Sequence, residues 1–164
     1  MRFAPWNVLW YNKLMEVVVR RLKEADLDEL VDMENQSFGN PWSRKIFADL
    51  LDRDYCLYLV AEVDGRLAGC CGLTDSLGEG SIDKVVVREQ YRNLGIGGRL
   101  LEALLHRGKA RGIEAFTLEV RVGNEPAIHL YEKFGFVSEG IRPNFYTRPT
   151  EDAMIMWRRE QLPL

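Results

Sequence analysis

A chain of 164 residues with 46% apolar and 29% charged side chains suits one globular domain with a sizeable core, and excludes a disordered or fibrous chain. Its 22 Lys and Arg stand against 25 Asp and Glu, so the net charge of -3 supplies no overall pull toward nucleic acid. Three cysteines (Cys56, Cys70, Cys71) and two histidines (His106, His129) show neither a disulfide framework nor metal-ligand spacing, which implies a reducing, cytoplasmic setting and no metal.

The first segment, "MRFAPWNVLWYNKLM", is interrupted by Asn7, Asn12 and Lys13 and lacks the apolar run and cleavage site of a signal peptide. No stretch approaches the roughly 20 apolar residues of a membrane span. We expect residues 1–14 to be an extension or a mis-assigned start, and residues 15–164 to form a single domain. Trp6 and Trp10 in that extension are candidates for a contact with another chain.

The β-branched "EVVVRRL" (16–22) predicts a strand. In "DLDELVDMENQSF" (26–38), Leu27, Leu30, Val31 and Glu34 recur at helical spacing. A second helix follows, capped by Ser43 and carrying Ile46, Phe47 and Leu50 on one stripe. "CLYLVAEV", Asp64-Gly65 and "RLAGCCGLT" spell strand, tight turn, strand, with Cys70 and Cys71 on opposite faces. "GSIDKVVV" (80–87) is another strand, and beyond a glycine-rich stretch Leu100, Leu101, Leu104 and Leu105 mark a helix ending near Gly112. "AFTLEVRV" (115–122) alternates as a strand. Asn124 then caps a helix over 125–134 that Gly135 stops. Two last strands are expected near 136–141 and 152–158, around the turn-rich "RPNFYTRPTE". The order describes an α/β domain with a mixed sheet.

The stretch "YRNLGIGGRL" places Gly95, Gly97 and Gly98 where a helix should begin. A P-loop needs Lys-Ser/Thr after its last glycine, and Arg99-Leu100 stand there; a dinucleotide fingerprint needs glycine at 100 and sits on a first strand. What remains is R-x-x-G-x-G (Arg92, Gly95, Gly97) between a strand and a helix, where unsatisfied N–H groups at the positive end of a helix dipole suit a pyrophosphate. A tightly packed helix start accounts for the same glycines.

Taken together, "KVVV", "REQYRNLGIGGRLL" and "LEVRVGNEPAIHLYEKFGF" resemble the acetyl-coenzyme A core of the GNAT (Gcn5-related) N-acetyltransferase superfamily, from about Glu16 to Trp157. The resemblance implies a GNAT fold with a mixed central sheet of about six or seven strands flanked by helices. It implies that the backbone of Val85, Val86 and Val87 holds the acetyl and pantetheine arm. The loop from Asn93 through Leu94, Gly95, Ile96 and Gly97 to Gly98 would cradle the pyrophosphate, with Arg92 opening the motif.

Acetyl transfer to an amine needs a neutral nucleophile, a donor for the developing oxyanion and a proton for the departing thiolate. On "TLEVRV" Glu119 shares a face with Thr117 and Arg121, where it can serve as a base or pair with a neighbouring arginine. Tyr131 lies on the helix stripe with Ala127, Leu130 and Phe134, as a proton donor to sulfur or a core tyrosine; Asn124 can be cap, coenzyme contact or both.

A narrower similarity, carried by "NPWS", "LEVR…N…AI.LYEKFGF" and "IRPNFYTRPTEDAMIM", is to the RimI type, which acetylates the N-terminal alanine of a ribosomal protein. It implies Glu119 as base, Tyr131 as acid and Asn124 as coenzyme ligand, and Val87 N–H is the candidate oxyanion donor. Trp42, Arg142, Asn144 and Tyr146 are expected peptide contacts, with hairpin packing as the other explanation. Phe145 stands where that type usually carries a tyrosine, so one hydroxyl is missing. The expected acceptor is a protein N-terminus and the expected co-substrate acetyl-CoA, without nucleic acid or membrane. A small amine, a lysine side chain or a non-catalytic acyl-CoA-binding module are the alternatives.

Overall fold

In the computed structural model, which describes residues 15–160, the β-branched run Val17–Arg21 forms the first strand, β1. Arg20 then reaches Asp26 through both guanidinium nitrogens at 2.8 Å, while the same carboxylate accepts Lys23 N–H at 2.8 Å. This fixes the entry to helix α1 (Leu27–Ser37). Ser43 caps α2 (Arg44–Leu51), its hydroxyl accepting from Ile46 N–H at 3.4 Å. Strands β2 (Cys56–Val63) and β3 (Arg66–Ser76) join through Asp64 and Gly65, both in left-handed backbone (φ 50° and 79°), as a two-residue turn matching the strand twist requires. Then come β4 (Glu79–Val87), α3 (Ile96–Ala110), β5 (Ala115–Arg121), α4 (Glu125–Lys133), β6 (Val137–Tyr146) and β7 (Glu151–Arg159).

The seven strands form one sheet in the order β1-β2-β3-β4-β5-β7-β6, within the expected number and mixed as expected. Every neighbouring pair is antiparallel except β4 and β5, which run parallel and pair over only Glu79–Ser81 with Ala115–Thr117. Helices cover both faces. Leu100, Leu101, Leu104 and Leu105 of α3 and Tyr131 of α4 pack with Leu57, Leu59, Cys71, Phe116 and Leu118. On the other face Leu27, Leu30 and Met33 of α1 and Phe47 of α2 pack with Tyr58, Val60, Cys70 and Val86. Burying each of these large apolar side chains contributes about 1.5–3 kcal/mol, which sets the sheet rigidly between its helices. Cys70 and Cys71 fall on opposite faces as alternation requires. All three cysteines are buried and free, and burial pushes the Cys70 thiol up to about 12, so it packs as an inert apolar group.

Two features depart from the periodicity of the sequence. Leu73 pairs with Ile82 and the adjacent Gly72 with Lys84, so Asp83 is an extra residue, a bulge in β4. Ile82 therefore joins the α3 face, while Lys84 and Val86 belong to the α1–α2 face. The second departure corrects the expected strand at 136–141: β6 continues through Arg142–Tyr146, and the turn shrinks to 147–150. Irregular register at Ser138/Gly140 and Arg142/Tyr146 accommodates Pro143 and the positive φ of Asn144 (53°). Pro is tolerated because β6 is an edge strand. The expectations for residues 1–14, with Trp6 and Trp10, and for residues 161–164 lie outside the described residues.

Candidate active site

Where β4 and β5 stop pairing, the sheet opens. Past Ser81 and Thr117 the two strands line one cavity of about 620 Å³ with Ile82, Asp83, Lys84 and Val85 from β4 and Leu118, Glu119, Val120 and Arg121 from β5. A second cavity of about 430 Å³ lies along Val85 and Val87, Arg92, Asn93, Gly95–Gly98 and the exposed side of α4. Val85, Ala127 and Tyr131 line both, so the two spaces meet at these residues.

The backbone of β4 faces this gap in a regular way. Arg88 N–H bonds Ala68 C=O at 2.8 Å, and Val86 and Val87 pair with Cys70 and Gly69. Alternation in an antiparallel ladder then commits Val86 to β3 and turns the N–H and C=O of Val85 and Val87 toward the missing neighbour. Val87 C=O accepts Arg92 Nε at 3.1 Å. The Val86 side chain is buried on the α1–α2 face, away from both cavities.

The glycines divide into two kinds. Gly95 has φ 78° and no atom of its surroundings near a would-be Cβ; it makes the turn into α3, as Asn93 does at φ 62°. Gly97 and Gly98 are helical, and a Cβ there would meet only Leu130, Val87 and Phe134 side chains at ordinary contact distances of 3.4 to 3.9 Å. The protein itself would admit a side chain at both. Their bareness keeps the second cavity open beside the N–H groups of Ile96, Gly97 and Gly98, which have no intrahelical acceptor and no side-chain cap. Leu94 packs against the core instead of lining the cavity.

Glu119 lines the larger cavity, with its side chain 31% exposed, and Arg142 Nη1 lies 3.6 Å from its Oε1. Tyr131 is buried at the meeting of the two spaces, in edge contact with Phe136 at 5.9 Å. Burial, then the neighbouring Tyr146 and Cys71, push its ionisation well above the usual tyrosine range, so the phenol stays protonated at neutral pH. Asn124 lines the larger cavity while its side chain caps α4, accepting Ala127 N–H at 3.3 Å.

Of the residues expected at the acceptor, Trp42 and Tyr146 line the larger cavity; Arg142 and Asn144 do not. Arg142 points its guanidinium toward Glu119 and the Phe145 ring, and Asn144 N–H bonds Asp152 at 2.9 Å. Arg121 holds the wall above: it stacks on Tyr146 at 4.4 Å, donates to Pro149 C=O at 2.9 Å and pairs with Glu151 at 3.1 Å. Sequence reasoning missed the charged floor. Glu34 of α1 and Lys84 of β4 form a buried ion pair there, roofed by Phe38 and Trp42. Glu34 occupies an apolar stripe position on its helix, and that mismatch was the available signal.

Among the described residues, no group of three or more His, Cys, Asp or Glu is placed to hold a metal ion, and no helix is long and apolar enough to cross a membrane.

Comparison with known proteins fits this geometry. The family model described as "Acetyltransferase (GNAT) family" matches residues 27–136. A Bacillus subtilis (strain 168) protein, named provisionally as a ribosomal protein bS18-alanine N-acetyltransferase, is 38% identical over 143 residues, covering 87% of this chain and 95% of the relative. The ribosomal protein bS18-alanine N-acetyltransferase of Escherichia coli (strain K12) is 34% identical over 140 residues, 84% of this chain and 94% of the relative. The crystal structure of the ribosomal-protein-S18-alanine N-acetyltransferase from Escherichia coli superposes with a TM-score of 0.82 at 31% identity, covering 90% of this chain and 96% of that one. A family model spanning most of the domain and relatives matched over nearly their whole length leave one assignment: the chain belongs to the GNAT family of acetyl-CoA-dependent N-acetyltransferases.

Proposed function

We propose that the enzyme transfers the acetyl group of acetyl-CoA directly to the α-amino group of a protein N-terminus, the N-terminal alanine of a small-subunit ribosomal protein, in the cytoplasm. The observation that carries this reading is the meeting of the two cavities at Val85, Ala127 and Tyr131, with Glu119 on the acceptor side. A thioester carrier and an amine can approach each other there from two directions. The names of the Escherichia coli and Bacillus subtilis relatives support the choice of acceptor.

In this reading the outward C=O of Val85 and the N–H and C=O of Val87 bind the pantetheine arm in place of a strand, and the start of α3 takes the pyrophosphate through Ile96, Gly97 and Gly98 N–H. Bare Gly97 and Gly98 fit a ligand that must come close to the backbone. The amine nitrogen attacks the thioester carbon, forming the amide bond as the carbon–sulfur bond breaks. Glu119, directly or through water, accepts the proton the amine loses, and Tyr131 donates to the departing sulfur. Val85 N–H, which faces the gap where the two cavities meet, is the donor placed to hold the oxyanion, whereas Val87, the candidate from the sequence, lines only the second cavity. Trp42 and Tyr146 contact the peptide, and Arg142, 3.6 Å from Glu119, positions that carboxylate.

The acceptor side also argues against a polyamine. Lys84, Arg121 and Arg148 offset Glu34, Asp83 and Glu119 around the cavity, which is therefore not the acidic pocket a polycation selects. The test is a thiol-release assay over hexapeptides beginning Ala, Ser and Met, beside lysine amide and spermidine. Turnover of the Ala peptide above all others is expected; preference for spermidine or lysine amide would overturn the reading.

A further inference from the structure

The floor of the acceptor cavity holds a fixed cation that no step above uses. The bulge at Asp83 turns Lys84 out of the α3 face and into the α1–α2 side of the sheet. There its ammonium pairs with Glu34 Oε1, which also accepts Trp42 N–H at 3.1 Å. The side chains are 6% and 0% exposed, and the nitrogen lies 4.4 Å from the Phe38 ring centroid and 4.3 Å from that of Trp42. Glu34, Phe38, Trp42 and Lys84 all line the same cavity as Glu119 and Tyr131.

A buried ion pair is a poor way to stabilise a fold, because desolvating both charges offsets most of their attraction and apolar packing serves as well. Here the pair leaves chemistry over. Glu34 Oε2 has no partner and is sealed from solvent. An ammonium carries three donors, and among the described residues Lys84 has one hydrogen-bond acceptor, Glu34. Glu34 and the two rings hold the nitrogen in place, so little entropy is lost when a ligand meets it. Glu34 also balances its charge, so the suitable ligand is a neutral oxygen with a strong dipole, more than a carboxylate.

We infer that Lys84 is an acceptor-binding residue that donates a hydrogen bond to a backbone carbonyl of the incoming peptide, with Glu34 as its positioning partner. The inference rests on the reading of the acceptor as a peptide N-terminus and adds what grips it. It makes the enzyme selective for amines followed by a peptide bond.

The test uses the full chain, a hexapeptide beginning Ala, and acetyl-CoA. Lys84→Met keeps length and removes the donor. Because it leaves Glu34 buried without a counter-ion, the double variant Glu34→Gln/Lys84→Met is measured beside it, its new side-chain amide oxygen still able to accept from Trp42 N–H. The double variant is expected to melt near the wild type and to raise the peptide KM about tenfold, with kcat changed less than about twofold and acetyl-CoA KM unchanged. A wild-type peptide KM in the double variant, or equal losses toward both substrates, overturns the inference while leaving the proposed function standing. A wild-type enzyme that acetylates spermidine and ignores the peptide overturns both.

Discussion

The two sides of the opening in the sheet are built from different materials. The side proposed for the coenzyme is almost all backbone: the outward edge of Val85 and Val87 and the free N–H groups that begin α3 beside bare glycines. The side proposed for the acceptor is made of side chains gathered from α1, β4, β5 and β6, namely Glu34, Lys84, Glu119, Arg121 and Tyr146. Backbone recognition tolerates most substitutions that keep the turn, whereas side-chain recognition can be retuned one residue at a time. On the proposed function, the difference would separate a constant donor from an adaptable acceptor site.

Substitutions should therefore divide cleanly in their kinetics. The largest effect belongs to the centre, where both sides meet. Tyr131→Phe should lower kcat about 100-fold, with acetyl-CoA KM nearly unchanged, since the ring stays and only the donor goes. Because burial raises the ionisation of Tyr131, its hydroxyl is protonated throughout and beyond the neutral range, and the variant should keep the alkaline limb of the pH–rate profile where the wild type has it. Glu119→Gln should instead lower kcat at neutral pH and make the rate lean more on pH, rising as the α-amine, with a pKa of about 8, loses its proton unaided. Wild-type rates in both variants would remove the acid and base assignment altogether.

A smaller effect sharpens the coenzyme side. Gly97→Val places its Cβ at ordinary distance from Leu130 and Val87 but projects methyls into the second cavity. Acetyl-CoA KM should rise about tenfold with peptide KM unmoved, and a peptide effect instead would show that the two sides are not separable. The smallest lies outside both. Ser43→Ala removes the α2 cap and should cost about 1 kcal/mol in chemical denaturation without altering either KM.

The same contrast explains what could be read from the sequence. Backbone sites leave local marks, so the glycine spacing between strand and helix pointed to the loop that lines the second cavity, and the period-2 alternation of "TLEVRV" put Glu119 on the face that lines the larger one. The Asp64–Gly65 hairpin was legible for the same reason. The charged floor of the larger cavity was not, because it depends on register. Counting by twos from Ile82 puts Lys84 on the wrong face, and only the extra residue Asp83 reverses that parity. Glu34 stood visibly on an apolar stripe, yet its partner lies 50 residues away, out of reach of any local pattern. The end of β6 was misread because Pro143 and Asn144 signal a turn, while an edge strand with irregular register absorbs both.

Only three residue pairs tie β4 to β5. Half of the sheet is thus stitched to the other half by one short seam, and past it main-chain donors and acceptors of β4 have no strand to pair with. An occupant lying along Val85 and Val87 would act as a surrogate strand and finish the weave. Cofactor supply and resistance to unfolding are then linked by mass action, so this protein should be hardest to denature when its acyl donor is abundant.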